Sequence, residues 1–451
     1  MSTPGWTRLW ALSLVAAALP GCGERGLPGQ DEAPAQLEVP ASLPTGDAVA
    51  LGFDADRLAA IDAYLQGLVD EGALPGASLR ILRRGQVAHS VTVGYSDLED
   101  GTALMEDGLF RLASATKIWV SVAFMTLVDQ GLVSLSDAVA TFLPEFEDLT
   151  VFEDGAVVPS TRPMTILDLL RHTAGMGYGY EDPYQSALVD AGLLETGVRL
   201  SMDWSHEITL DEWAARLATV PLEDEPATRF SYGLSHDLLG LVIERITGEP
   251  LDRFMQDVVF TPMGLTGTGF GVPAGRGADL TSFYLFEDGA LELLESAPES
   301  PFHARPLAPS GGGGWDQIGN GGMITSLGDF ARFLQMFLND GELDGVRILQ
   351  PETVRLMKRN HLDGIGDGDS FWPGAGFGMG YAVLYDTERF PDPGAVGTMW
   401  WAGSTNTYFW VDPENQVVGV FLTHVLPFGH REAMDTVHRM ANEAVGLGAR
   451  P

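Results

Sequence analysis

Ser114 and Lys117, in the segment Ser114-Ala115-Thr116-Lys117, are the side chains whose types and spacing best suit catalysis. If a helix begins at Ser114, positions i and i+3 share one face, so the hydroxyl and the amine can meet. A serine is a weak nucleophile until a base takes its proton. The helix that follows is apolar on nearly all sides, and burial near a positive helix end lowers the pKa of a lysine. The motif therefore predicts a Ser114 nucleophile activated by a neutral Lys117.

The composition supports a role for Lys117, because Lys117 and Lys358 are the only lysines among 451 residues. Other catalytic patterns find less support. The sequence has no Gly-x-Ser-x-Gly, which argues against an α/β-hydrolase nucleophile turn. His206-Glu207 lacks the second histidine of a zinc helix, so we predict no metal and no cofactor. A Ser-His-Asp triad stays open, because the nine histidines are scattered and sequence cannot bring them together.

The chain is strongly acidic, with 26 Lys+Arg against 62 Asp+Glu and a formal net charge of -36. This charge disfavours nucleic acid and anionic lipid surfaces as partners. With 45% hydrophobic residues, the chain can bury a sizeable core. The composition indicates a soluble globular protein and leaves the oligomeric state undetermined.

The pattern of apolar residues predicts strands near both ends of the chain and helices between them. Arg57 to Val69 has helical spacing, and 77–82 and 86–94 alternate like paired strands around Arg84-Gly85. Residues 111–340 are predicted to be mostly helical. Strand character returns late in the chain, before a last helix. The predicted segments are helices at 118–128, 165–170, 237–247, 330–338 and 432–445, and strands at 380–385, 407–411 and 417–423. This order predicts an α+β fold in which N- and C-terminal strands share one antiparallel sheet.

The N-terminus has the features of an export signal. Arg8 precedes an apolar run from Leu9 to Leu19, which is too short to span a bilayer. The run leads to Cys22, the only cysteine, in a segment that resembles a bacterial lipobox. We therefore predict a lipoprotein signal peptide at 1–22, a flexible tether at 23–50 and one hydrolase domain at 51–451. The membrane contact would be the lipid anchor on Cys22 alone, in the periplasm or on the outer face of a bacterial envelope. An ordinary signal peptide is the alternative.

Over roughly residues 51–445 the chain resembles the serine β-lactamase and penicillin-binding-protein superfamily. Within that superfamily it is most similar to class C β-lactamases and family VIII carboxylesterases. The resemblance rests on a series of segments in the same order: Gly76-Ala77, Phe110 to Ser114, Asp168 to Gly175, Tyr232, Leu238-Leu239-Gly240, Gly321 to Asp329 with Phe333, Trp401-Ala402-Gly403, and Phe409 to Pro413.

The resemblance assigns roles to individual residues. It implies that Ser114 is acylated, that Lys117 is its base and that Tyr232 passes protons to and from the leaving group. It also implies that Trp401, Gly403 and Ser404 lie on an edge strand that lines the site. The N–H groups of Ser114 and Ser404 would then form the oxyanion hole.

Two departures from the β-lactamase pattern bear on the substrate. Leu234 stands where β-lactamases have the asparagine of Tyr-x-Asn, and Trp401 stands where they have the lysine of Lys-Thr-Gly. An apolar rim suits neutral esters better than anionic β-lactams. We therefore predict a carboxylesterase that works through an acyl-enzyme. The resemblance implies that its substrate is a small-molecule ester or amide. Two alternatives stay open: a β-lactamase or D-alanyl-D-alanine carboxypeptidase, in which another Arg or His replaces the missing lysine, and a non-catalytic, ligand-binding envelope lipoprotein.

Overall fold

A computed structural model describes residues 42–194, 209–296, 322–391, 394–427 and 431–447. The predicted signal peptide, Cys22 and the tether up to residue 41 lie outside the described residues. The strands are β1 Gly76–Arg83, β2 Gln86–Asp97, β3 Thr102–Ala103, β4 Leu109–Arg111, β5 Thr150–Glu153, β6 Ala156–Pro159, β7 Phe283–Glu287, β8 Ala290–Glu295, β9 Ile324–Ser326, β10 Glu342–Leu343, β11 Val346–Arg347, β12 Ala375–Phe377, β13 Ala382–Leu384, β14 Met399–Ala402, β15 Tyr408–Asp412, β16 Val417–Thr423 and β17 Val425–Leu426. The helices are α1 Ala55–Asp70, α2 Thr116–Asp129, α3 Ile166–Leu170, α4 Tyr184–Asp190, α5 Leu210–Leu217, α6 Ser235–Thr247, α7 Leu251–Met255, α8 Leu327–Leu338, α9 Pro351–Met357 and α10 Arg431–Ala444.

An eight-stranded antiparallel sheet joins the two ends of the chain, in the order β12-β13-β14-β15-β16-β1-β2-β3. β1 and β2 form a hairpin whose turn places Arg84 at φ 51° and Gly85 at φ 75°. β1 pairs on its other side with β16, from Ala77 opposite Thr423 to Arg83 opposite Val417. Every residue of β16 is buried, which is typical of a strand covered on both faces. The predicted α+β fold with strands from both ends is confirmed.

The helix that carries Lys117, α2, is buried over nearly its whole length, from Thr116 to Leu127. An all-round apolar helix has no face to offer to water, so it must lie in the core. Trp119 stacks on Phe333 of α8, with ring centroids 3.6 Å apart. The core therefore packs α2, from the first half of the chain, against α8, from the second half.

The middle of the chain contains strands that the sequence interpretation did not predict. β5–β6 and β7–β8 are hairpins, and β4 pairs with β9. The turns of the hairpins are Asp154-Gly155 and Asp288-Gly289, all four residues having positive φ. Two-residue turns of this kind favour Asp-Gly, so the signal was present in the sequence. The prediction of a mostly helical stretch over 111–340 missed these short hairpins.

Two further predictions need correction. The strand bearing Trp401 is not an edge strand, because β14 lies between β13 and β15. On β14, however, the residues that pair with β13 are Met399 and Trp400, so the end of β14 at Trp401 extends beyond β13. The last part of the predicted tether, 42–50, contacts the domain: Thr45 bridges to Val87, and the Gly46 N–H donates to the Val87 carbonyl over 2.9 Å. The folded domain therefore begins before residue 51.

None of the helices in the described ranges combines the length and the apolar character needed to span a bilayer.

Candidate active site

Ser114 lies in a tight turn that leads directly into α2. Ala113–Ala115 form a 3-10 turn, and the α-helix begins at Thr116 rather than at Ser114 as the spacing predicted. The 3-10 turn runs directly into the helix, so Ser114 lies about one turn before Lys117 and the two side chains can share one face. Ala113 has φ 44°, a strained value for a residue with a Cβ. The turn is held by the Leu112 N–H, which donates to the Met323 carbonyl over 2.8 Å.

Lys117 is completely buried and lies against the predicted nucleophile. Its Nζ is 3.2 Å from Ser114 Oγ and 3.2 Å from Tyr178 Oη. Burial lowers the pKa of Lys117 to about 7, and the negative charge of Asp237 opposes this shift only in part. Near neutral pH about half of Lys117 is therefore an uncharged amine with a lone pair for the Ser114 proton. Lys117 is thus within hydrogen-bond distance of Ser114 Oγ and partly uncharged at neutral pH, and its role as the base stays a prediction.

Tyr232 lies beside Ser114 and Lys117, in the turn that precedes α6. Its hydroxyl accepts a hydrogen bond from Trp401 Nε1 over 3.0 Å, and its ring centroid is 4.8 Å from Lys117 Nζ. Burial raises the pKa of Tyr232 well above its ordinary value, although a hydrogen bond with the Ser114 side chain lowers it. The phenol is thus protonated at neutral pH, as a proton donor to a leaving group must be.

The turn that carries Tyr232 is fixed by a histidine. The Gly233 N–H donates to His172 Nδ1 over 3.3 Å, and the His172 ring lies 4.6 Å from the Tyr232 ring. Burial keeps the pKa of His172 well below its usual value, so the ring is neutral. A Cβ on Gly233 would lie 2.3 Å from the Met176 carbonyl oxygen, so no side chain fits there. His172 therefore supports Tyr232 rather than Ser114.

Tyr178 is a site residue that the sequence interpretation missed. Its hydroxyl contacts Lys117, and its ring packs edge-on against Tyr232 with centroids 5.6 Å apart. The segment reaches the site because Gly177 bridges to Gly233. The sequence signal was a tyrosine between two glycines, Gly177 and Gly179, just after the His172–Gly175 turn. Such glycines allow close backbone approach, but only the fold shows what they approach.

Gly403 brings the end of β14 against the backbone of the nucleophile turn. A Cβ there would lie 2.1 Å from the Leu112 carbonyl oxygen, so only glycine is tolerated. Thr407 Oγ1 donates to the same carbonyl over 3.1 Å. Ser404 follows in a half-buried turn next to this contact, and its predicted place in the oxyanion hole stays a prediction. Trp401, the other predicted wall residue, is buried and contacts Tyr232 as described above.

The structure also bears on the alternatives left open by the sequence. The buried His236 pairs through Nε2 with Ser121 Oγ over 3.0 Å, one turn beyond Lys117, and not with Ser114. A lysine rather than a histidine therefore contacts Ser114 Oγ. Leu234, in the place of the β-lactamase asparagine, is 1% exposed and belongs to the core. Within the described ranges, no group of three or more His, Cys, Asp or Glu residues could hold a metal ion.

Comparison with known proteins places the chain in one family. The Beta-lactamase family model matches residues 61–442. Esterase EstB of Burkholderia gladioli is 33% identical over 378 residues, 81% of this chain and 90% of that protein. Protein Rv1367c of Mycobacterium tuberculosis is 32% identical over 81% of this chain and 89% of its own. The solved structure of EstCE1, "a hydrolase with promiscuous acyltransferase activity", has a TM-score of 0.71 and 28% identity, covering 88% of this chain and 99% of its own.

Proposed function

This chain belongs to the beta-lactamase family of serine hydrolases, and we propose that it is a carboxylesterase acting through an acyl-enzyme on Ser114. The observation that carries the proposal is the bond from Trp401 Nε1 to Tyr232 Oη, at the position where β-lactamases have a lysine. An indole there removes a cation that would receive a substrate carboxylate, and it adds apolar surface. The esterase name of a 33% identical relative supports the same substrate class.

The proposed reaction uses the site residues in a fixed order. Neutral Lys117 takes the proton of Ser114, and Oγ attacks the ester carbonyl carbon. The N–H groups of Ser114 and Ser404 receive the developing oxyanion. Tyr232 donates its proton to the alkoxide as the carbon–oxygen bond breaks, and Lys117 restores that proton. In deacylation the neutral Lys117 takes a proton from a water molecule, and the water oxygen attacks the acyl carbon. The bond from that carbon to Ser114 Oγ then breaks, Oγ takes a proton from Tyr232, and Lys117 returns its proton to Tyr232, which releases the acid and restores the free enzyme.

The position of the second lysine also favours neutral substrates. Lys358 Nζ donates to the Phe337 carbonyl over 3.4 Å, in a part of the fold distant in sequence from Trp401. Its ammonium group is therefore engaged at the C-terminal end of α8. A β-lactamase or carboxypeptidase reaction would need an arginine or histidine to bind the substrate carboxylate.

A paired assay on residues 23–451, a version of the protein without Cys22, tests the proposal. Hydrolysis of p-nitrophenyl butyrate is compared with that of a chromogenic cephalosporin and a D-alanyl-D-alanine peptide. Ser114→Ala is the inactive control and Ser121→Ala, one turn further along α2, is the matched serine control. We expect ester turnover to dominate and to vanish only in Ser114→Ala. Dominant cephalosporin or peptide turnover would overturn the ester assignment, and failure of a fluorophosphonate to label Ser114 would favour a non-catalytic binding role.

We further propose that the protein is exported and anchored through a lipid on Cys22. The support is the apolar run of residues 9–19 followed by the only cysteine of the chain. Expression in a bacterial host with a radiolabelled fatty acid should label the full-length protein and place it in the membrane fraction. Cys22→Ser should lose both the label and the membrane association. A labelled Cys22→Ser protein would refute the anchor.

A further inference from the structure

Phe371 is a large apolar side chain that stays exposed beside the catalytic residues. It is 55% exposed, whereas the neighbouring Trp401 is only 5% exposed. Its ring lies 5.6 Å from the Tyr232 ring at a steep angle, and it stacks on Trp401 at 6.0 Å with an interplanar angle of 27°. Phe230 meets it edge-on at 5.3 Å. An exposed aromatic surface that continues directly into a catalytic centre is the usual form of a binding wall.

The loop that carries Phe371 is held firmly at its base. Asp369 ion-pairs with Arg389, accepts from Tyr385 Oη over 2.6 Å and accepts from the Gly374 N–H over 2.9 Å. The N–H and the hydroxyl of Ser370 both donate to the Ala375 carbonyl, each over 2.8 Å. These bonds fix the residues on both sides of Phe371. The loop therefore holds the exposed Phe371 ring in a defined position.

The contact with Tyr232 indicates which half of an ester would meet this ring. In the proposed mechanism the Tyr232 hydroxyl donates a proton to the departing alcohol oxygen. The carbon atoms bonded to that oxygen must then lie beside the Tyr232 ring, where Phe371 and Trp401 form the wall. The acyl half, bonded to Ser114 after attack, points away from the leaving group.

We propose that Phe371 forms the alcohol subsite of this enzyme and selects esters of flat aromatic alcohols. This inference rests on the proposed esterase function and on the role of Tyr232 in it. An aryl group placed against the exposed face of Phe371 would form an offset or edge-on aromatic pair, which an alkyl chain of similar size cannot form. The acidic chain and the uncharged wall together favour neutral alcohols over anionic ones.

Four esters test the proposal by varying one half of the substrate at a time. Benzyl acetate and butyl acetate differ in the alcohol, while ethyl phenylacetate and ethyl butyrate differ in the acyl group. Phe371→Ala should lower the preference for benzyl over butyl acetate, measured as the ratio of kcat/KM values, by about three- to tenfold. The preference between the two ethyl esters should stay unchanged. Phe371→Trp should retain the preference for the benzyl ester because it keeps an aromatic face.

The control is Tyr95→Ala, which removes an aromatic side chain of similar exposure, 42%, from β2. This variant should leave all four values unchanged, and thermal melting should show that each variant is folded. If the wild type cleaves the esters and Phe371→Ala leaves the benzyl/butyl ratio unchanged, the subsite is refuted. A change confined to the phenylacetate pair would also refute it, because Phe371 would then face the acyl group. If the wild type cleaves none of the esters, the esterase function itself fails.

Discussion

In the proposed mechanism Lys117 has to be uncharged to activate Ser114, so the pH at which ester cleavage begins should report the protonation of this one amine. With a pKa of about 7, the fraction of neutral Lys117 gives a kcat/KM at pH 6 that is about one-tenth of the plateau. At pH 5 it should be about one-hundredth. A lysine with the ordinary value of 10.5 would instead keep gaining activity far above pH 9.

The charge of Asp237 offers a way to move this profile without touching Ser114 or Lys117. Asp237 is buried in the first turn of α6, and its negative charge raises the pKa of Lys117 against the larger effect of burial. Asp237→Asn removes that charge, so the pKa of Lys117 should fall further. More of the amine is then neutral at a given pH, and the rising limb of the profile should shift to lower pH.

The assay is the pH dependence of kcat/KM for p-nitrophenyl butyrate between pH 5 and pH 9, with the uncatalysed rate subtracted. Asp56→Asn is the matched control, because Asp56 is an exposed acid in the first turn of α1. It should leave the limb in place. A wild-type profile that is flat over this range would mean that Lys117 does not act as a neutral base. A limb that stays put or moves to higher pH in Asp237→Asn would refute the electrostatic reasoning.

Three further predictions follow from the geometry of the site. Tyr178→Phe removes one hydrogen bond to Lys117, so kcat/KM for a butyrate ester should fall about three- to tenfold. Tyr232→Phe removes the proton donor, so the same kcat/KM should fall about a hundredfold or more. Equal losses in the two variants would contradict the separate roles of the two tyrosines. Gly403→Ala places a Cβ 2.1 Å from the Leu112 carbonyl oxygen. This contact should displace the turn that carries Ser114 and lower kcat by about a hundredfold. Gly67→Ala is the control, because a Cβ there meets open space, and it should leave kcat unchanged. Lys117→Met should be inactive but more stable at neutral pH. Between pH 7 and pH 10.5 the unfolded wild type holds a proton that the folded wild type lacks. In urea denaturation the free energy of unfolding of the wild type, relative to that of Lys117→Met, should therefore rise with pH by roughly 1.4 kcal/mol per unit. If the excess stability of Lys117→Met over the wild type grew with pH instead, the result would contradict a depressed pKa of Lys117.

Local sequence patterns predicted those parts of the fold that depend on contacts between residues close in sequence. The β1–β2 hairpin, the buried α2 and the Ser114–Lys117 pair all depend on residues within about one turn or one strand of each other. Gly248, at φ 71°, ends α6 where its position after Thr247 predicts an end.

The parts that escaped prediction depend on contacts between distant segments. Tyr178 reaches Lys117 across 61 positions, and no periodicity marks such a meeting. Trp401 was assigned to the site by resemblance alone, and its hydrogen bond to Tyr232 joins residues 169 positions apart. The partners of β14 and the exposed place of Phe371 likewise follow from the sheet order and the loop anchors. Burial and pairing over such separations are properties of the assembled fold.

The position of β1 between β2 and β16 determines when during synthesis this enzyme can become active. A growing chain completes Ser114, Lys117 and Tyr232 long before the ribosome reaches β14 to β16. Until then β1 has β2 on one side and an unsatisfied strand edge on the other, which can pair with other chains. Gly403 also has yet to dock on Leu112. We therefore expect an unfinished chain to be inactive and prone to aggregation, because Trp401, Gly403 and the strand that pairs with β1 are still missing.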